Sequence, residues 1–318
     1  MGRKRPIQRT SSDCLPDGTV LIIDYQAPPA YCAQVQKLIS ILRLIRFHNC
    51  LLAGAAVWAG AYMTLIPNEE FKLYLASLAI ALSCGAGNAF NDYRDLEADR
   101  VNHAKRPLPS GRLLPYIALL TTGVMALFSV VIAIFVSPVF LCAVLALNLL
   151  LIFYSMSLKA VPFLGNLAVA AAGASPFIIG AIPSGKAALM MFPGVWIPAL
   201  FAFLFHLGRE IVKDCSDLGG DARGNKKSVP SQFSVKVTLG LVTAILGLLV
   251  ILTIVPIYFK WYNSIFGFIA VLLVDIPLVL ATSYLWISKR ERKFALVGSF
   301  YKLLMLLGLI AFIAGKNL

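Results

Sequence analysis

Apolar residues run along this chain in blocks of about twenty, divided by shorter polar stretches. A helix rises ~1.5 Å per residue, so about twenty apolar residues cross the ~30 Å hydrocarbon layer of a bilayer. Nine blocks reach that length, at 44–66, 71–92, 114–136, 139–157, 162–182, 194–212, 237–257, 264–286 and 296–314. Helix breakers mark their ends: Pro67 and Asn68 after the first, Pro138 before the fourth, Pro162 at the fifth and Gly180 to Gly185 behind it. The pattern predicts an all-α, polytopic membrane protein with nine transmembrane helices. Residues 1–37 mix charges with Pro16, Pro28 and Pro29 and read as an N-terminal extension to a single transmembrane domain over 38–318. No apolar stretch follows the basic start, so this extension is not expected to be a signal peptide.

Composition agrees. Of 318 residues, 59% are apolar and 14% charged, whereas soluble domains run near ~45–50% and ~25%. The length alone would allow two soluble domains; too little polar surface exists to cover them. The net charge of +13 would suggest nucleic acid in a soluble protein. Here 24 of the 28 lysines and arginines fall on one side of the nine-span topology. The positive-inside rule accounts for that bias, calls for no nucleic-acid partner, and predicts a cytoplasmic N-terminus and an external C-terminus, in the plasma membrane. The six cysteines are scattered without a CxxC pair, which argues against zinc or iron–sulfur chemistry.

Acidic residues concentrate in two segments, GNAFNDYRDLEADR (87–100) and REIVKDCSDLGGDARG (209–224), each at the polar end of an expected span. Asn88, Asp92, Asp95 and Asp99 are spaced by four, three and four; so are Glu210, Asp214, Asp217 and Asp221. Such spacing puts each set on one helical face, with Glu97 off it. Like charges stacked on one face destabilise it unless a cation sits there, and carboxylates with water and phosphate oxygens suit Mg²⁺. Two such faces predict Mg²⁺ ions around a diphosphate, with Asn88 and Asn91 orienting water or donating to phosphate. Arg106, Lys159, Lys213 and Lys227 stand near these segments and can neutralise phosphate. Asp275, mid-span in the eighth block, is a further candidate because intramembrane acids are expensive.

At these residues the sequence resembles the UbiA superfamily of intramembrane prenyltransferases. The resemblance rests on Asn91, Asp92, Asp95 and Asp99, on NHAKRPLPSG (102–111), on DCSDLGGD (214–221) followed by GNKKSVP, and on Tyr154, Ser155 and Lys159. It implies an all-α intramembrane fold around a central cavity that binds an isoprenyl diphosphate donor through Mg²⁺. Asn91, Asp92, Asp95, Asp99, Asp214, Asp217 and Asp221 would be the metal site, and Arg106, Tyr154, Lys159 and Lys227 would hold diphosphate. RLIRFHNCLLAG (43–54) is similar to the archaeal-type digeranylgeranylglyceryl phosphate synthases, which implies a lipid-like glyceryl phosphate acceptor drawn from the membrane lipid pool. His48 and Asn49 would then face its hydroxyl, and Arg43, Arg46 or Lys105 its phosphate. Phe47, Trp58, Phe201 and Phe205 are expected to line the prenyl tail. An aromatic quinone precursor or a chlorophyllide-like carboxylate is the alternative acceptor. A transporter is the alternative from another class, disfavoured because the ionisable groups collect at one membrane face.

Overall fold

The computed structural model describes residues 30–64, 66, 69–223, 228–287 and 291–317, with the side chains of 30–33, 219–223 and 291 outside the description. Contacts divide the chain into Met1–Leu38 and a compact unit, Ile39–Leu318. The expectations placed on residues 1–29 lie outside the described residues, as do Lys227 and the side chain of Asp221.

The elements are helices α1 (Ala30–Leu44), α2 (Phe47–Met63), α3 (Glu70–Arg94), α4 (Leu96–Asn102), α5 (Pro115–Ile134), α6 (Pro138–Met156), α7 (Leu164–Gly180), α8 (Lys186–Met190), α9 (Trp196–Arg223), α10 (Val229–Tyr258), α11 (Ser264–Phe268), α12 (Ile276–Ile287) and α13 (Glu291–Gly315). A π-helical stretch, Ile269–Asp275, joins α11 to α12. Several ends are written in the local sequence. Pro115 and Pro138 open their helices, where a missing N–H costs nothing. The Ser137 hydroxyl accepts the Phe140 N–H at 3.1 Å, and the Ser231 hydroxyl accepts the Ser228 N–H at 2.9 Å at the start of α10.

Seven of the nine expected spans meet the length and composition of a membrane crossing on their own. Seven helical segments among the described residues are long and apolar enough to cross a membrane, and an eighth if the pair Gln34–Leu44 and Phe47–Met63, bent by 51°, counts as one. The first expected block fails alone because α2 has only 17 residues. The sixth fails because the 28 residues of α9 carry His206, Arg209, Glu210 and Lys213 halfway along. Apolar residues such as Leu127, Phe128, Ile254 and Leu280 remain exposed on the outer faces, as a lipid-bathed protein requires. The chain is an integral, multi-pass membrane protein.

Packing places α2 against α3 and α7, α3 against α5 and α6, and α9 against α7, α10 and α13, while α13 also meets α2. Small residues set the closest of these approaches. A β-carbon at Gly60 of α2 would lie 2.0 Å from the Phe177 carbonyl oxygen, and one at Gly180 of α7 would lie 2.1 Å from the Val57 carbonyl oxygen. The two backbones therefore touch directly, the device membrane helices use in place of hydrophobic collapse. Buried polar pairs add to it: Asn148 Nδ2 donates to Ser129 Oγ at 3.0 Å between α6 and α5.

Gly60→Ala is expected to cost ~2 kcal/mol or more through overpacking. Gly123→Ala, where a β-carbon meets nothing within 4 Å, should be neutral or stabilising by up to ~1 kcal/mol. Thermal unfolding of both variants in detergent checks the pair; equal midpoints would refute the backbone contact.

Candidate active site

The site begins at a chain break. Between α1 and α2, Arg46 adopts φ 52°, ψ 59°, a left-handed conformation that an L side chain rarely takes. Carbonyls freed by the break find partners: Asn88 Nδ2 donates to the Ile45 oxygen at 3.0 Å, and Cys50 Sγ contacts the same oxygen at 3.2 Å. Asn88, expected to serve phosphate or water, thus holds the break. The Arg46 guanidinium is aimed at α3 and pairs with Asp92 at 2.6 Å.

The first acidic face is also corrected. α3 ends at Arg94 and α4 starts at Leu96, with Asp95 between them at ψ 6°. The carboxylates of the expected face then take different partners. Asp92 and Asp99, both at most 5% exposed, turn to Arg106, at 3.5 and 2.6 Å. Asp95 turns the other way, to Lys159 at the end of α6 and to Asn91 Nδ2 at 2.9 Å. Burial pushes the Asp99 carboxyl up to about 6, against the pull of Arg106 and with added repulsion from Asp92 and Asp95. Glu97 is exposed and pairs with Arg100 at 2.8 Å, in keeping with its position off the face.

The second segment lies wholly within α9. Glu210 pairs with Arg209 and Lys213, Asp214 accepts from Asn166 Nδ2 at 2.8 Å, and Asp217 accepts from Ser216 Oγ at 3.2 Å. α4 packs on α9, and His103 Nε2 comes within 3.9 Å of Asp217. The two acidic segments therefore meet, as the matched spacing required. Burial and the Arg106 charge hold the His103 imidazole below its ordinary value despite Asp217.

These groups border a cavity of about 1050 Å³ enclosed by α2, α3, α6, α7, α9, α10, the π-helical stretch and α13. Arg43, Arg46, His48, Asn49, Asn88, Asn91, Asp92, Lys105, Arg106, Tyr154 and Lys213 line it directly. Lys159 and Asp214 line a small adjoining recess together with Tyr154 and Lys213. Asp95, Asp99 and Asp217 connect to the cavity lining through Asn91, Arg106 and His103. The apolar limb is lined by Phe177, Phe201, Phe205, Phe266 and Phe312. Phe47 and Trp58, expected there, are elsewhere: Phe47 is exposed, and Trp58 makes an edge contact with Tyr74. Asp275 does reach the cavity, beside Thr253 at 3.5 Å. Sequence reading missed His103, His206, Arg209 and Lys302, all on the cavity wall. Arg209, His206 and Lys302 sit inside apolar helices, and that placement was the available signal.

Among the described residues no three His, Cys, Asp or Glu converge closely enough to hold a metal ion. Arg46, Arg106 and Lys159 occupy the carboxylates instead. The donor set still fits Mg²⁺. It is all oxygen, and Asn91 Oδ1 is buried without a hydrogen-bond partner. The cations that neutralise the carboxylates are long side chains able to serve phosphate once a metal replaces them.

Comparisons with known proteins extend this geometry. Residues 50–308 match the model of the UbiA prenyltransferase family. Digeranylgeranylglyceryl phosphate synthase of Methanopyrus kandleri is 35% identical over 280 residues, 86% of this chain and 97% of that one. A solved structure concerning digeranylgeranylglyceryl phosphate synthase in membranes superposes with TM-score 0.68 at 29% identity, covering 88% of this chain and 98% of the other. A UbiA homolog from Archaeoglobus fulgidus bound to GPP and Mg²⁺ shares the fold, with TM-score 0.63 at 19% identity over 86% of this chain and 99% of its own.

Removing one cation from a buried carboxylate pair should be costly in metal-free buffer. Arg106→Gln is expected to lose ~2 kcal/mol or more of stability, because the buried Asp99 loses its partner while Asp92 keeps only Arg46. Glu97→Gln, at an exposed pair, should change stability by less than ~0.5 kcal/mol. Thermal unfolding in EDTA measures both, and added Mg²⁺ should return part of the Arg106→Gln loss.

Proposed function

From the premise that this chain belongs to the UbiA prenyltransferase family and is an intramembrane prenyltransferase, we propose that it transfers a geranylgeranyl group from its diphosphate to the free hydroxyl of geranylgeranylglyceryl phosphate. The products are an ether lipid and pyrophosphate. The observation that carries this reading is the convergence of two acidic segments on the ionic mouth of a cavity that is otherwise apolar. The share of sequence held in common with the archaeal synthase supports the choice of acceptor.

Asn91, Asp92, Asp95, Asp99, Asp214, Asp217 and Asp221 are the proposed metal ligands, and Mg²⁺ held there would neutralise the diphosphate and stabilise it as a leaving group. Arg106, Lys159 and Lys227 would bind diphosphate oxygens, with Tyr154 beside them. Arg106 and Lys159 already balance Asp99 and Asp95, so neither has to be brought from solvent. Phe177, Phe201 and Phe205 would receive the prenyl tail and keep water from C1 as positive charge develops on it. His48 and Asn49 would orient the acceptor hydroxyl. Its oxygen bonds C1 as the C1–O bond to diphosphate breaks, and a proton leaves with pyrophosphate formation. The positive-inside bias supports an N-terminus on the cytoplasmic side of the plasma membrane, where the ionic mouth would then open.

Mass spectrometry of products from purified protein, geranylgeranyl diphosphate and a panel of acceptors tests the reading. The expected product is the diether phosphate; efficient prenylation of an aromatic acid or a chlorophyllide, with none of the glyceryl phosphate, would falsify the acceptor assignment. Asp95→Asn and Asp217→Asn should each lower kcat by about a hundredfold or more, as losses of charge that acts on the transition state do. A chelator should abolish turnover and Mg²⁺ restore it.

A further inference from the structure

Lys302 has no role in the chemistry above. It lies in α13, within the stretch Arg292–Gly315 that is apolar enough to cross the membrane. A lysine at such a position needs a partner or an exit to water. Lys302 lines the cavity with Arg209 and His48. The groups within its electrostatic reach are Arg209, Arg46, Lys213 and Glu210. Asp92 pairs with Arg46 as well as with Arg106, and Lys213 is also drawn to Asp217. Glu210, the acid within reach of Lys302, is already shared by Arg209 and Lys213, and no carboxylate among the described residues forms an ion pair with Lys302. Arg209 adds a second indication: its Nε is buried and has no hydrogen-bond partner. An unpaired ammonium and a buried, unsatisfied guanidinium N–H on the same wall make an incomplete anion site. A phosphomonoester, about −1.5 to −2 at pH 7, supplies the charge and the acceptor oxygens that both groups lack.

We propose that Lys302 and Arg209 form a second anion subsite, on the α9–α13 side of the mouth, that binds the phosphomonoester of the acceptor. It rests on the reading that the acceptor is a glyceryl phosphate. It stands apart from Arg106 and Lys159, which serve the carboxylate side. Sequence alone offers Arg43, Arg46 or Lys105 for the acceptor phosphate; this subsite adds Lys302 and Arg209, with Arg46 in reach of Lys302. Met305, Leu309 and Phe312 of α13 line the same cavity as Lys302, so an amphiphile fits better than free phosphate.

Two measurements decide it. In steady-state kinetics, Lys302→Gln should raise the acceptor KM about tenfold or more, with kcat and the diphosphate KM moving less than about twofold. Lys302→Arg should recover most of the acceptor KM, because the charge is kept. Equal rises in both KM values, or no rise, overturn the subsite. The second measurement needs no turnover. In EDTA, dodecyl phosphate should raise the unfolding midpoint of the wild-type protein, while dodecanol and inorganic phosphate at the same concentration should raise it much less. Lys302→Gln should lose the dodecyl phosphate shift. A shift retained in that variant overturns the subsite, even if glyceryl phosphate is the true acceptor. A shift lost in that variant, in a protein that does not turn over glyceryl phosphate, upholds the subsite and removes only the acceptor assignment.

Discussion

Ionised carboxylates in a bilayer-embedded protein must be matched by cations, and the architecture of the mouth follows from that demand. Asp92 and Asp99 are almost wholly buried. In such surroundings the desolvation cost of an unpaired carboxylate exceeds what helix packing can absorb. The matching cations come from different elements: Arg46 from the break before α2, Arg106 from the loop after α4, Lys159 from the end of α6. Each pair ties its element to the junction of α3 and α4. The same pairs explain why a left-handed Arg is tolerated at residue 46, since its side chain is secured at Asp92.

This arrangement gives the cavity two unlike ends without exposing either to the wrong solvent. The carboxylates of the ionic end are paired with cationic side chains of the same chain, and the apolar limb is walled by phenylalanines. A reaction that passes through a developing carbocation needs both: fixed charge beside the leaving group and a dry wall beside the electrophile. Long cationic side chains suit this because they can change partner without a backbone movement. An Arg or Lys released from a carboxylate by a metal has a phosphate oxygen as its next partner, so the exchange conserves charge pairs.

Much of this was legible from residue order. Seven spans follow from block length, and the convergence of the acidic segments follows from their matched spacing at one face of the membrane. Three features were not legible, each for a local reason. The break at Arg46 has no Gly or Asn to announce it, because a long-range ion pair holds the unusual backbone. The break between α3 and α4 falls at Asp95 alone, and spacing rules presume an unbroken helix. The sixth apolar block was legible only over 194–212; the ionic half that carries α9 on to Arg223 was not, because its charges answer one another and the cavity. Lys302 and Arg209 were counted as topological charges when their depth should have set them apart.

The contact between α2 and α7 at Gly60 and Gly180 bears on how the cavity can be remodelled. Along that wall the cavity reaches Ala56 and Phe177 and ends where the two backbones meet. Behind the Phe177 side chain stand the touching main chains of α2 and α7. A wall of side chains can be trimmed residue by residue to admit a longer guest; a wall of main chain cannot. Past Phe177, substitution on this side therefore gains no depth, and further lengthening has to come from other lining side chains, such as Phe266 and Phe312.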